Sequence, residues 1–339
     1  MATLSSMTDL VGAVLTRPTF EIAEATAFLA QSWCLHGDLR PLPSERDRNF
    51  AVRVAGSDAF VLKVSNLAED PAFLEMQHAA LALLLASGVP CQRPVSSVTG
   101  ETIVSWSPSS IDAPMHARLL SWLPGRPLAD VPPETRSVAL LEDLGATMGR
   151  CARALASFDH PAAHRAFQWD ANRGLDVVAA HGSAVADTER AALLSRWERR
   201  LGHLRSAMPT LRQSVIHNDA NDNNVLVSED GDSICGLLDL GDAVFSITVN
   251  ELAVAAAYAA LDVPDPFAVI ASVRRGFERE LPLTLDEAAV VLDLVALRLC
   301  TSVALSAHQA MLAPDDPYLT ISERPAWELL ATLETAAER

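Results

Sequence analysis

The chain has 339 residues, half of them hydrophobic, enough to bury a sizeable core and to form two domains or one large two-lobed unit. With 43 Asp and Glu against 26 Lys and Arg the net charge is −17, and no basic run is present that could neutralise a phosphate backbone, so nucleic acid is not an expected partner. The five cysteines, Cys34, Cys91, Cys151, Cys235 and Cys300, are scattered without a CxxC pair, which argues against a metal or disulfide framework and predicts reduced core residues of a cytoplasmic protein.

The N-terminal stretch lacks a basic start and places Asp9 before a short apolar run, fitting neither a signal peptide nor a membrane anchor. Residues 8–36 show mixed helical periodicity and lead into the Pro- and charge-rich residues 40–49, which predict a loop. Phe50 to Val54 and Ala59 to Val64, joined through Gly56, Ser57 and Asp58, predict an antiparallel hairpin. Alternation sets Phe60, Leu62 and Val64 on one face and Val61 and Lys63 on the other. Asp70 and Pro71 supply a cap and a first-turn proline to a helix that stops at Gly88 and carries Glu75. Strand candidates at Thr102 to Trp106 and Ala117 to Trp122 precede the break Leu123-Pro124-Gly125-Arg126-Pro127. The expected boundary separates residues 1–123, including a hinge, from residues 124–339.

Beyond it, helical periodicity dominates residues 135–157, 184–207, 249–261, 265–280 and 284–312, with one strand-like insertion at residues 214–240. The apolar stretches Leu252 to Leu261 and Ala288 to Cys300 are too short to span a bilayer, and read as buried helices with no membrane partner. The fold class is α+β, with a small lobe of antiparallel sheet plus helix and a larger, mainly helical lobe.

The chemistry is carried by Ser214-Val-Ile-His217-Asn218-Asp219-Ala220-Asn221-Asp222-Asn223-Asn224, followed by a strand, the turn Ser228 to Asp232, and Ile234-Cys-Gly-Leu-Leu238-Asp239-Leu240-Gly241-Asp242. An antiparallel hairpin between these segments returns the chain to its start, so Asp219, Asn224 and Asp239 converge. Such oxygen donors suit a hard cation such as Mg2+, which keeps waters and substrate phosphates in its shell. Asp242 either joins this cluster or caps the turn into the helix of Glu251, and Glu251, opening an otherwise apolar helix, reads as a buried brace. Asn221, Asp222 and Asn223 read as turn caps. His36-Gly37-Asp38 imitates the His-x-Asp pattern, but Pro43 stands where the asparagine belongs.

At these residues the sequence resembles the aminoglycoside phosphotransferase and choline-kinase-like superfamily, with its H-x-D-x-x-x-x-N and [IL]-D-x-x-D segments. The resemblance implies a bilobal protein-kinase-like fold, an N-terminal nucleotide-binding lobe, and ATP (GTP left open) with Mg2+ as cofactors. It implies Asp219 as the base for a substrate hydroxyl, Asn224 and Asp239 as metal ligands, and His217 as a structural brace of the loop. It also implies Lys63 on the α/β-phosphates with Glu75 as its ion-pair partner, and backbone groups near Ser121 and Leu123 at the edge of the base. The phosphate-covering segment Ser44-Glu-Arg-Asp-Arg-Asn-Phe50 departs from the pattern, because it contains no glycine.

Further stretches, including Asn250-Glu251-Leu-Ala-Val-Ala-Ala-Ala-Tyr258 and Tyr318-Leu-Thr-Ile-Ser-Glu-Arg-Pro-Ala-Trp327, resemble the hydroxylysine kinase branch and the kinase-like modules fused to class-III aminotransferase-like enzymes. The implied substrate is a small hydroxylated amine or amino acid, with Asp242, Arg298 and Tyr318 as candidate substrate residues. The fused relatives imply a functional link to a PLP-dependent lyase or aminotransferase-like enzyme. An aminoglycoside kinase, a nucleotide-binding protein of this fold without turnover, and a metal-dependent hydrolase remain as alternatives.

Overall fold

In a computed structural model, the chain forms two compact units. The structure describes residues 17–44, 46–312 and 323–337. The smaller unit takes the described residues up to Ala86 together with Pro90–Pro124, and the larger takes Ser87–Val89 and the described residues from Gly125 onward.

The smaller unit begins with helix α1 (Ile22–Trp33) and strands β1 (Asp38–Leu42), β2 (Arg48–Val54) and β3 (Ser57–Val64). Helix α2 (Pro71–Ala86) and strands β4 (Pro94–Val95), β5 (Val104–Trp106) and β6 (Met115–Ser121) follow. The sheet runs β1-β2-β3-β6-β4, with β5 also on β6, and every pairing is antiparallel. The β2–β3 turn is Ala55-Gly56, both at positive φ (51° and 87°), the two-residue geometry whose twist matches the flanking strands. Leu62 and Val64 face a core with Phe50, Val52, Ala117 and Leu119, closed by Phe28, Leu29 and Trp33 of α1. Residues 40–49 are not wholly a loop: β1 pairs from Asp38 opposite Arg53 to Leu42 opposite Asn49. Pro41 obscured this strand in the sequence, yet proline is tolerated at a sheet edge, where β1 lies.

The larger unit opens with β7 (Arg126–Pro127) and helices α3 (Val138–Leu155), α4 (Ala171–His181), α5 (Thr188–Leu201) and α6 (Leu204–Ala207). Strands β8 (Gln213–Ile216), β9 (Val225–Val227), β10 (Ile234–Leu237) and β11 (Val244–Ile247) lead to α7 (Asn250–Ala259), α8 (Pro266–Glu280), α9 (Leu285–Leu312) and α10 (Glu323–Ala337). The continuous helix expected over residues 184–207 is broken near Gly202, and α4, capped by Asp170 through the Asn172 amide, was not foreseen. Helices α3 and α8 meet at glycines: a methyl group on Gly145 would lie 1.8 Å from the Val273 carbonyl, and one on Gly276 would lie 1.9 Å from that of Glu142.

The apolar stretch Ala288 to Cys300 is the middle of the 28-residue α9, long and apolar enough by length and composition to cross a membrane. Its most apolar window is 72% buried, as in the core helix of a helical unit, and it packs against α4, α7 and α10. Two small ladders sit among these helices: β9 pairs with β7 and β10, while β8 pairs with β11. Their short strands fix the ends of the loops that carry the acidic cluster.

Candidate active site

The β9–β10 hairpin sets the geometry. Val225 to Val227 return antiparallel on Ile234 to Leu237, and the Leu238 amide donates to the Asn224 carbonyl at 2.8 Å, which fixes the two loop ends side by side. Asn218 (φ 67°) and Asp239 (φ 58°) both take the left-handed conformation, tolerated best by Asn and Asp among residues with a Cβ.

Within the first loop, Asn224 Nδ2 donates to both the carbonyl and Oδ2 of Asp219 (2.9 and 2.6 Å), and Asn221 Nδ2 donates to Asp219 Oδ1 at 2.9 Å. Asn221 therefore does more than cap the turn, although its Oδ1 also accepts from the amides of Asn223 and Asn224. The Asp219 amide donates to His217 Nδ1 at 3.2 Å, which leaves the His217 ring proton on Nε2 to meet the Leu238 carbonyl at 2.9 Å. His217 thereby ties the two loops together. Burial lowers its pKa and keeps it neutral.

Glu251, on the first turn of α7 and 0% exposed, accepts the amides of His217 (2.5 Å) and Asn218 (3.2 Å) on separate oxygens, and Cys151 Sγ approaches at 3.6 Å. Asn218 reaches the Trp169 and Asp242 carbonyls through Nδ2 and accepts from Asn250. Sequence reasoning passed over this asparagine, because a buried hub looks like any other polar loop residue until its partners are folded around it.

Burial first, and the nearby Asp242 charge second, raise the Asp219 carboxyl well above the usual range, with a smaller push from Asp239, while Arg298 and the Asn221 amide pull it down. Asp242 is 8% exposed and precedes β11 rather than a helix, so it does not cap α7, and its charge acts on Asp219. Arg298 of α9, read from sequence as a substrate residue, donates from Nη2 to Asp219 Oδ1 at 3.1 Å. Asp239 Oδ1 accepts the Gly241 amide at 2.9 Å.

The donor set fits Mg2+ held jointly with phosphates. Among the described residues no three His, Cys, Asp or Glu side chains form a closed metal site. Asn224, whose Nδ2 is turned to Asp219, and Asp239 stand at the two loop ends that the Leu238 amide joins, and Mg2+ uses such small protein sets with waters and substrate oxygens.

In the smaller unit, Lys63 is 6% exposed and lies opposite Asn49 and Arg118 across the ladders. Gln77 of α2 accepts from Arg118 Nη1 at 2.7 Å. Glu75 is exposed on α2 and is not brought to Lys63: the helix turns Phe73, Leu74, Met76 and Gln77 inward instead. Both backbone groups of Ser121 are engaged, the amide with the Arg93 carbonyl and the carbonyl with Gln92 Nε2, whereas Leu123 makes no backbone hydrogen bond among the described residues. In the glycine-free segment, Asp47 accepts from the amide and side chain of Asn66, which braces the turn without glycine. Tyr318 lies outside the described residues.

A sequence profile of the phosphotransferase enzyme family matches residues 38–287. The chain belongs to that family. This phosphotransferase is 29% identical over 343 residues to hydroxylysine kinase of Bos taurus, covering 93% of this chain and 90% of that one. Hydroxylysine kinase of Danio rerio is 29% identical over 316 residues, 87% of this chain and 86% of that one. Among solved structures, an amicoumacin kinase in complex with AMP-PNP, Ca2+ and Ami superposes with a TM-score of 0.69 at 14% identity, over 97% of this chain and 96% of that one. A microcompartment-associated aminopropanol kinase superposes with a TM-score of 0.68 at 19% identity, over 94% and 97%. The phosphotransferase thus has the kinase-like fold, with its antiparallel sheet in the N-terminal region and its helices in the C-terminal part.

Proposed function

We propose that this phosphotransferase transfers the γ-phosphoryl group of ATP to the hydroxyl of a small hydroxylated amine or amino acid of the hydroxylysine type. It is a small-molecule kinase with an alcohol group as acceptor. The observation that carries the reading is the Asp219 carboxylate, held by two amides of its own loop beside Asn224 and Asp239. The hydroxylysine-type acceptor is supported by relatives that match this chain along most of both lengths.

In this reading Asp219 orients the acceptor hydroxyl and takes its proton as the O–P bond forms and the bond from the γ-phosphorus to the leaving oxygen breaks. A raised pKa makes the carboxylate a stronger base while the Asn amides and Arg298 keep its oxygens in place. Asn224 and Asp239 would hold Mg2+, which neutralises charge on the nucleotide phosphates when bound. Lys63 engages the α/β-phosphates, Leu123 offers backbone groups to the base, and Asp242 receives the ammonium of the acceptor. GTP in place of ATP stays open, and the phosphorylated product is suited to a PLP-dependent lyase downstream.

A coupled assay of ADP release against hydroxylysine, simple amino alcohols and an aminoglycoside tests the reading. Hydroxylysine is expected to give the highest kcat/KM, and Asp219→Ala to lower kcat by about 10^2 to 10^4. A variant within tenfold of the parent refutes the base assignment. Preference for the aminoglycoside moves the reading to an antibiotic kinase. Nucleotide-induced stabilisation without any ADP release identifies a binding protein.

A further inference from the structure

Arg298 stands midway along α9 among Ala296, Leu297, Leu299 and Cys300, all buried, and is itself 5% exposed. A guanidinium cannot shed its proton in such surroundings, so an anion must meet it or its burial is strongly unfavourable. The anion is Asp219: Nη2 donates to Oδ1 at 3.1 Å. Nε and Nη1 are buried without a hydrogen bond among the described residues, and the guanidinium carbon lies 4.4 Å from the Trp169 ring centre and 5.5 Å from that of Tyr258. The Trp169 ring favours the cation, and the Tyr258 side chain also meets the guanidinium.

Three donors hold the Asp219 carboxylate. Two, Asn221 and Asn224, are neutral amides of the same loop, and Arg298 is the donor that comes from a different element and carries charge. The other charges acting on Asp219 are the like charges of Asp242 and Asp239. Glu251 grips the loop through the amides of His217 and Asn218, and His217 is neutral.

We propose that Arg298 is a positioning residue for phosphoryl transfer, fixing the Asp219 carboxylate toward the acceptor hydroxyl. The proposal rests on Asp219 being the base. It assigns α9 a part in the chemistry through the carboxylate that its arginine holds. A fixed anchor acts on kcat rather than on binding, because the loop's own amides still hold the carboxylate in the ground state but permit it to rotate.

The test compares Arg298→Met, Arg298→Lys and Arg298→Ala in the full chain, measuring kcat, both KM values and melting temperature. Arg298→Met is expected to lower kcat by about 10^2 with KM changed less than about threefold, on the scale of losing one preorganised charged donor. Arg298→Lys is expected to recover between about a tenth and a fifth of the parent kcat. Turnover by Arg298→Ala should rise at least fivefold with added guanidinium and not with urea, its neutral analogue. A kcat for Arg298→Met within threefold of the parent overturns the proposal. So does a parallel fall of kcat and melting temperature with no recovery by lysine or guanidinium. If the Met and Ala variants do not fold, Arg298→Lys decides: a kcat loss of fivefold or more with parental melting supports the proposal, and parental kcat overturns it. Full turnover by Asp219→Asn defeats the base assignment itself, whereas an inactive Asp219→Asn beside an unaffected Arg298→Met defeats the positioning role alone.

Discussion

Replacing Glu251 by glutamine turns the buried brace into a pH-dependent measurement. Burial lifts its carboxyl from 4.5 to about 7, against the pull of the two amides it accepts. The raised value means that the folded state binds this proton more tightly than the unfolded chain does. The associated stabilisation is complete below about pH 4.5 and is lost as pH rises through 7, a change of about 3 kcal/mol. Glutamine does not titrate, so its stability lacks this slope. It also has one acceptor oxygen where the carboxylate uses two, one for His217 and one for Asn218, and a buried amide left without an acceptor costs about 1–3 kcal/mol. Glu251→Gln is therefore expected to be less stable than the parent at pH 5, and the gap should close or reverse by pH 8. Urea unfolding at pH 5, 6, 7 and 8, followed by tryptophan fluorescence, reads the difference, in which titrating groups common to both proteins cancel. A gap that stays constant to within about 0.5 kcal/mol across the series would refute the reasoning, since 3 kcal/mol is well above the usual error of such comparisons.

Other substitutions probe different parts of the molecule. Gly276→Ala drives a methyl group into the Glu142 carbonyl and should destabilise by about 1–3 kcal/mol or more, read as a lower melting temperature; an unchanged melt would mean that α3 and α8 separate freely. Arg212→Met strips the fully buried Glu287 side chain of a pair made at 2.5 and 2.7 Å. Arg212 is 40% exposed and the Thr284 amide still donates, so a loss of about 3 kcal/mol is expected, and less than 1 kcal/mol in urea unfolding would contradict it. Lys63→Met should lower kcat/KM for ATP by about 10^2 to 10^3 with the melt preserved, and parental ATP kinetics would remove Lys63 from the nucleotide site.

Features encoded locally were readable before the fold was known. The β2–β3 hairpin follows from alternation and a glycine, α2 from its cap and first proline, and the Asp219 loop from two spaced motifs joined by a hairpin. What escaped depends on partners. Strand β1 exists because β2 offers an edge, overriding the proline and charges of its own sequence. Helical periodicity runs on through Gly202, where the structure stops α5 and starts a separate turn. Glu75 and Gln77 are two residues apart on one helix, and only the packing of α2 decides which of them faces the sheet. The ion pair of Arg298 with Asp219 spans 79 positions and leaves no periodic trace, so no pattern in the sequence announces it.

The ladder formed by β9 and β10 has all its chemistry at one end. Its other end, Ser228 to Asp232, is a polar turn with Gly231 at φ 82°, close to solvent. A fluorophore attached there would ride on the same rigid rod as the base and the two oxygen donors and so report their displacement during turnover. Extra residues spliced into that tip would be absorbed by the bulk water around it, making it a natural place to graft a tag or a second domain.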